Sequence, residues 1–138
     1  MRKIVLVLLA GITLAGCKTA EQALMEAGKK PITAAEVTAL RSDNTISVQT
    51  ANGYTGAGFW KADGSVSYKA DSSSSFDSKG TYEVKADGQT CVKWENPRMT
   101  SRCVRTYAKE GGKYVEIELD GSEGVTITKV EKGNPRGL

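Results

Sequence analysis

The sequence predicts a mainly β protein, an antiparallel up-and-down meander of about eight strands with one short helix near its N-terminus. Two observations support this fold class. From Asn44 onward, apolar and polar residues alternate with a period of two, and short turn sequences interrupt the alternation at regular intervals. The predicted strands are residues 44–50, 55–61, 65–70, 79–86, 89–95, 102–109, 113–119 and 125–130.

The turns between these strands carry residues that suit hairpins. The sequence "KADG" occurs at residues 61–64 and again at 85–88, each time between two strand-like runs. Asp-Gly supplies the positive φ values that tight hairpin turns require. Because the turns explain Asp63 and Asp87, we assign these two carboxylates no catalytic role.

Eight antiparallel strands joined in sequence can close on themselves and leave no unpaired edge. We therefore predict a small lipocalin-like barrel, or a strongly curved half-barrel that is plugged by the helix. The alternation predicts that the following residues face the interior: Val48, Phe59, Tyr82, Val84, Val92, Trp94, Val104, Val115, Ile117, Leu119, Val125 and Ile127.

The predicted helix covers residues 34–41. Thr33 and Glu36 have the spacing of a capping box, and Val37 and Leu40 lie one turn apart on an apolar edge. We expect this edge to face the β domain.

The N-terminal stretch "MRKIVLVLLAGITLAGC" has the organisation of a secretion signal. Arg2 and Lys3 precede an apolar run that is too short for a transmembrane helix and that ends in small residues. The sequence "LAGC" resembles the bacterial lipobox, which implies cleavage before Cys17 and acylation of that cysteine. Lipid on Cys17 would make the membrane a partner of the protein.

These features divide the chain into a signal peptide at residues 1–16, a lipidated tether at residues 17–30 and a single β-rich domain at residues 31–138. Lys18 follows the cysteine where an Asp would favour retention in the inner membrane. By resemblance to lipoprotein sorting, we expect the periplasmic face of the outer membrane.

The charge balance gives no support to nucleic-acid binding. Removing residues 1–16 takes away two of the 19 basic residues and none of the 16 acidic ones, which leaves 17 against 16. A nucleic-acid partner would require a basic excess, with Lys and Arg clustered near aromatic residues.

Lipid on Cys17 would leave one pair of cysteines in an oxidising compartment. Cys91 and Cys103 lie on neighbouring predicted strands, both on the more polar face, and are expected to form a disulfide. The chain has no His and no C-x-x-C sequence, so it lacks the three or four ligands of a zinc site. The long spacing also disfavours a redox pair.

The absence of His excludes the Ser-His-Asp and Cys-His nucleophile systems. A pair of carboxylates could be drawn from Asp71, Asp77 and Glu95, but all three belong to polar loops where solvated carboxylates are usual. We therefore predict a protein that is not an enzyme and that uses no cofactor.

Three aromatic residues are candidates for lining a ligand pocket: Trp60, Trp94 and Tyr82. For the two tryptophans, the favoured role is filling the core, because small barrels have little spare interior. Gly56 and Gly58, near Trp60, are expected to relieve crowding in a curved strand and not to form a nucleotide-binding loop.

Several motifs occur in a characteristic order: "PITAAEVTALRSDNTI", "GAGFWKADG", "GTYEVKADGQTCVKW", the second cysteine at Cys103, "GGKYVEI" and the ending "VEKGNPRGL". In this order the chain resembles a family of small exported bacterial proteins, many of them lipoproteins, classified as a domain of unknown function. The resemblance implies a compact periplasmic β domain with a disulfide hairpin and brings no assigned activity. The strand "TGAGFWKADG" departs from it by being less aromatic than expected.

The leading functional hypothesis is a non-enzymatic lipoprotein of the cell envelope that binds a protein partner or a small apolar ligand at the barrel. The alternative is a periplasmic inhibitor of a hydrolase, a protease or lysozyme, acting through an exposed loop. The loops "NPRMTS" and "DSSSSFDS" are the candidates for that contact. A purely structural envelope component is a third possibility.

Overall fold

A computed structural model describes residues 16–138 of the chain, and the predicted signal peptide lies outside the described residues except for Gly16. The two helices are α1 (Ala20–Glu26) and α2 (Ala34–Arg41). The eight strands are β1 (Asn44–Thr50), β2 (Thr55–Trp60), β3 (Ser65–Ala70), β4 (Ser78–Val84), β5 (Thr90–Trp94), β6 (Arg102–Ala108), β7 (Tyr114–Glu118) and β8 (Glu123–Lys132).

The strands form a closed antiparallel barrel in sequence order. Asn44 of β1 is paired with Trp60 on one side and with Lys132 of β8 on the other, which closes the sheet. The predicted eight-stranded meander is therefore confirmed, and of the two forms predicted, the closed barrel is the observed one.

Helix α2 begins and ends where the sequence predicts. The Thr33 side chain accepts a hydrogen bond from the Glu36 N–H, and the Glu36 carboxylate accepts one from the Thr33 N–H. Val37 and Leu40 are buried, and Leu40 joins the main core. The side-chain amide of Asn44 donates to the carbonyl oxygens of the last turn and so links the helix to the first strand.

Alternation of strand direction gives the barrel two distinct ends. At one end, called the closed end here, α2 leads into β1 and the Asp43 carboxylate accepts a hydrogen bond from the Ala62 N–H in the β2–β3 turn. The opposite end, called the mouth, carries four connections: residues 51–54, 71–77, 95–101 and 119–122.

Residues 17–30, which we expected to serve as a tether, contain a helix that was not predicted. This helix, α1, packs on the outside of the barrel. Ala20 and Leu24 contact a buried cluster of Tyr107, Val115 and Ile117. Within residues 16–138, no helix has the length and apolar character that crossing a bilayer requires.

One ion pair and two hydrogen bonds join α1 to the barrel. The Glu21 carboxylate accepts from Arg105 Nε at 2.6 Å and from the Tyr107 hydroxyl at 2.8 Å. The Glu21 N–H donates to the carbonyl oxygen of Gly121 at 3.0 Å. These contacts fix the helix beside the β7–β8 turn.

The position of α1 corrects the predicted interior of β7. Val115 and Ile117 are buried, but they face α1 on the outer surface and not the barrel interior. Leu119 lies beyond the strand in the turn and is 53% exposed. An apolar alternation identifies the buried face of a strand, and here a helix covers the outer face.

The prediction that Phe59 faces the interior is also wrong. Trp60 lines the interior, so its neighbour Phe59 faces outward by the alternation of the strand. Gly58, two residues earlier on the same face, leaves room for the indole, because a Cβ there would lie 3.0 Å from Trp60 Nε1. The remaining predicted residues occupy the inner face: Val48, Tyr82, Val84, Val92, Trp94, Val104, Val125 and Ile127.

The predicted disulfide between Cys91 and Cys103 is present. The two residues are directly paired across β5 and β6, on the outer face of the barrel. The bond therefore joins neighbouring strands without entering the interior.

Candidate functional site

The barrel encloses a cavity of about 620 Å³ that opens toward the mouth. Small-molecule sites typically measure about 300–1,000 Å³. The wall is largely aliphatic and aromatic, and its main contributors are Ile46, Val48, Trp60, Tyr68, Val92 and Trp94. The volume and the lining suit a small apolar ligand.

Inner-face glycines explain why this small barrel has spare interior. A Cβ at Gly56 would overlap the Tyr68 hydroxyl, and a Cβ at Gly80 would come within 3.0 Å of Trp94 Cε3. Because these positions have no side chain, the two rings lie close against the wall. The two tryptophans therefore pack in the core, the role that the sequence favoured, and they also line a cavity, the alternative role.

The three predicted pocket residues lie together on the inner face. Trp60 contacts Tyr82 edge-on with ring centroids 4.9 Å apart, and it contacts Trp94 edge-on at 6.3 Å. Trp60 and Trp94 line the cavity. Tyr82 packs against the main core, and its hydroxyl donates to the Lys61 carbonyl oxygen at 2.7 Å. Tyr82 therefore packs against Trp60 and holds that ring in position at the cavity wall.

A fully buried arginine lies at the closed end of the cavity. Arg41, the last residue of α2, donates from Nε to the Thr90 hydroxyl at 3.1 Å and from Nη2 to Glu116 Oε1 at 2.6 Å. Its guanidinium carbon lies 4.2 Å from the centroid of the Trp60 ring. Two hydrogen bonds and one aromatic face therefore hold the guanidinium in a single orientation.

The third nitrogen of this guanidinium is different. Arg41 Nη1 is buried, and no polar atom among residues 16–138 accepts a hydrogen bond from it. Buried donors are nearly always paired, because an unpaired one has lost its water without a replacement. Arg41, which lines the cavity, thus holds an oriented donor with no acceptor among the described residues.

Arg41 and Glu116 form what is here called the polar floor, and a second arginine, Arg102 at the start of β6, continues this polar surface toward the mouth. Arg102 Nη2 lies 3.5 Å from Glu116 Oε2, and Arg102 Nε lies 3.2 Å from Glu118 Oε1. Arg41, Arg98, Arg102 and Glu116 line the cavity, and Glu118 beside Arg102 balances part of the positive charge.

Sequence reasoning missed this polar floor, although one signal was readable. Arg41 follows Val37 by four residues, so helical spacing places it on the buried side of α2. Glu116 gave no such signal. It lies between Val115 and Ile117. Because these two residues are apolar, their face of β7 was predicted to be the inner one, and Glu116 was predicted to face outward.

The mouth carries exposed apolar side chains. Tyr54, Phe76 and Leu119 belong to three different mouth connections, and their exposed fractions are 62%, 47% and 53%. The two loops singled out from the sequence are both at this end. The Asn96 side chain joins them by donating to the carbonyl oxygens of Ser75 and Asp77 at 2.9 and 3.0 Å.

The surroundings of Tyr68, on the cavity wall near the mouth, raise the pKa of this residue. Burial raises the pKa of its hydroxyl, and the carboxylates of Asp71 and Asp77 raise it further.

Within residues 16–138, no three His, Cys, Asp or Glu side chains group together in a way that could hold a metal ion.

Cys17 lies at the same end of the barrel as the mouth. The cysteine is exposed, and two residues later the Thr19 side chain packs against Gly121 in the β7–β8 turn. Two residues span at most about 7 Å, so Cys17 stays close to this turn. The predicted lipid attachment point and the cavity opening therefore share one end of the molecule.

Comparisons of the chain with protein-family models, with curated proteins and with solved structures found no match, so the family resemblance drawn from the sequence stays a prediction.

Proposed function

We propose that this protein is a lipid-anchored protein of the bacterial cell envelope that binds a small, largely apolar ligand in its barrel. The observation that carries the proposal is the cavity of about 620 Å³, whose wall is mainly aliphatic and aromatic. Moving apolar ligand surface from water into such a site contributes about 25 cal/mol per Å² buried. The protein acts by binding and not by catalysis.

The location of the opening supports a membrane source for the ligand. Lipid on Cys17 would hold the mouth near the bilayer, because Thr19 packs on the β7–β8 turn. Tyr54, Phe76 and Leu119 are exposed at that end and can contact lipid or a ligand that leaves it. The lipobox and Lys18 favour the periplasmic face of the outer membrane.

Titration with Nile red, a neutral apolar dye, tests ligand binding. Val92→Phe places extra volume on the cavity wall and should weaken dye binding about tenfold, the equivalent of about 1.4 kcal/mol. Lys93→Phe is the matched control, because Lys93 is exposed on the outer face of the same strand. An absence of saturable dye binding, together with no apolar compound in solvent extracts of native protein, would contradict the proposal.

The paired mouth loops favour one alternative function, inhibition of an envelope hydrolase. Asn96 braces the loop that carries Phe76, and that ring is 47% exposed, as suits a contact with an enzyme cleft. Inhibition assays with lysozyme and a periplasmic protease test this alternative. Phe76→Ala should weaken any inhibition, whereas Val92→Phe should leave it unchanged.

A further inference from the structure

The unpaired nitrogen of Arg41 indicates what kind of ligand the cavity takes. We infer that the ligand is an amphiphile with a single carboxylate, which enters head first and accepts a hydrogen bond from Arg41 Nη1 at the closed end. This inference rests on the proposed function, since it names the ligand class of the same cavity.

The orientation of the guanidinium makes it a prepared site. Thr90 and Glu116 occupy Nε and Nη2, and the Trp60 ring covers one face of the group. The remaining donor is therefore held in place before any ligand arrives. A bound acceptor gains a charge-assisted hydrogen bond from a buried group, and little side-chain freedom is lost in forming it.

The charges along the wall select among head groups. The free donor of Arg41 belongs to a cation, so an anionic acceptor at Nη1 gains more than a neutral head, and a cationic head is disfavoured. The Glu116 carboxylate next to Arg41 disfavours a head group with two negative charges, because like charges repel strongly when buried. One carboxylate meets both conditions.

The apolar wall sets the direction of the ligand. Ile46, Val92 and Trp94 line the cavity beyond the polar floor, and exposed Tyr54 and Phe76 lie at the mouth. An apolar chain attached to a carboxylate at Arg41 would follow this wall outward. Its far end would reach the exposed aromatic residues.

Titrations with three probes of equal chain length test the inference: dodecanoate, dodecanol and dodecylamine. The full chain with Cys17→Ala provides the background, so that no attached lipid competes for the cavity, and the fluorescence of Trp60 and Trp94 reports binding. Dodecanoate should bind about tenfold more tightly than dodecanol, the size of one charge-assisted hydrogen bond, and dodecylamine should bind most weakly.

Three variants locate the head group. Arg41→Met should bring dodecanoate and dodecanol to equal affinity, and Arg41→Met/Glu116→Gln keeps the test valid if the single variant is unstable. Arg98→Ser, at the mouth, should leave the preference for dodecanoate intact. Loss of the preference in Arg98→Ser alone would overturn the head-first orientation.

The failures of the two proposals can be told apart. Equal affinity of wild-type protein for dodecanoate and dodecanol would overturn the carboxylate inference and leave apolar ligand binding in place. Failure of all three probes and of Nile red would overturn both proposals.

Discussion

The guanidinium carbon of Arg41 lies 4.2 Å from the centroid of the Trp60 ring, and this contact joins the end of helix α2 to the floor of the barrel cavity. Arg41 is fully buried, and its Nη2 donates to Glu116 at 2.6 Å. The helix that plugs the closed end therefore also supplies the most polar group in the cavity. The same side chain therefore contributes to the stability of the fold and is the one to which we assign the ligand's head group.

Removing Arg41 alone should destabilise the fold. In Arg41→Met the Glu116 carboxylate would stay buried without its main partner, and breaking a buried pair costs about 3–5 kcal/mol. Arg102 lies 3.5 Å from the same carboxylate, so we expect a loss near the lower limit, about 3 kcal/mol. Arg41→Met/Glu116→Gln should recover part of this loss. Urea unfolding measures both, and equal losses in the single and double variants would contradict the prediction.

Ile117 and Leu119 should respond very differently to truncation. Ile117 is fully buried between β7 and α1, so Ile117→Ala should cost about 2–5 kcal/mol. Leu119 is 53% exposed in the mouth turn, and Leu119→Ala should change stability by less than about 0.5 kcal/mol. Thermal melts compare the two. Similar losses would mean that both residues lie in one core, as the alternation alone predicted.

The Glu21 contacts make part of the stability depend on pH. The hydrogen bond from Arg105 is the main cause that lowers the pKa of Glu21 below its usual value of 4.5, and the Tyr107 hydroxyl adds to it. The contribution is therefore complete above pH 4.5 and is lost as the pH falls through the lower, folded-state pKa. At neutral pH, Glu21→Gln should cost about 1.5–3 kcal/mol, and this difference from wild type should shrink in acid.

Glu26→Gln is the matched control for that experiment. Glu26 belongs to the same helix, but its partner Lys18 and its own side chain are exposed, so the pair contributes little. A stability loss in Glu26→Gln as large as that in Glu21→Gln would mean that helix charge, and not docking to Arg105, is the cause.

The disulfide should stabilise the barrel without taking part in binding. Replacing both Cys91 and Cys103 with Ser should lower the free energy of unfolding by about 2–4 kcal/mol, because the unfolded chain regains loop freedom. Both residues are on the outer face, so Nile red affinity should stay within about twofold of wild type. Melts with and without reductant provide the measurement. A melting temperature insensitive to reductant would contradict the predicted stabilisation.

Cys17 should determine the attachment to the membrane. Cys17→Ala should move the protein out of the outer-membrane fraction or block removal of the leader, because the lipobox cysteine is the acylated residue. Fractionation and mass spectrometry of native protein measure the location and the acyl groups. Normal processing with an unchanged membrane pellet would rule out lipid attachment at this residue.

Strand order, the bounds of α2 and the disulfide could be predicted from the sequence because they depend on short-range signals. The alternation within each strand, the turns between strands and the Thr33–Glu36 cap act over a few residues, and the even pair of cysteines left by Cys17 follows from a count. Eight sequential antiparallel strands then have few arrangements other than a meander that closes.

The tertiary structure decided which face of β7 is inner and where the polar floor lies. Alternation separates the two faces of a strand, but it cannot identify the inner one when α1 covers the outer face and buries Val115 and Ile117 there. Arg41 and Glu116 are 75 positions apart, so their pairing depends on how α2 enters the barrel. The cavity likewise depends on glycines of separate strands facing the rings of Tyr68 and Trp94, a relation between distant residues that no local pattern records.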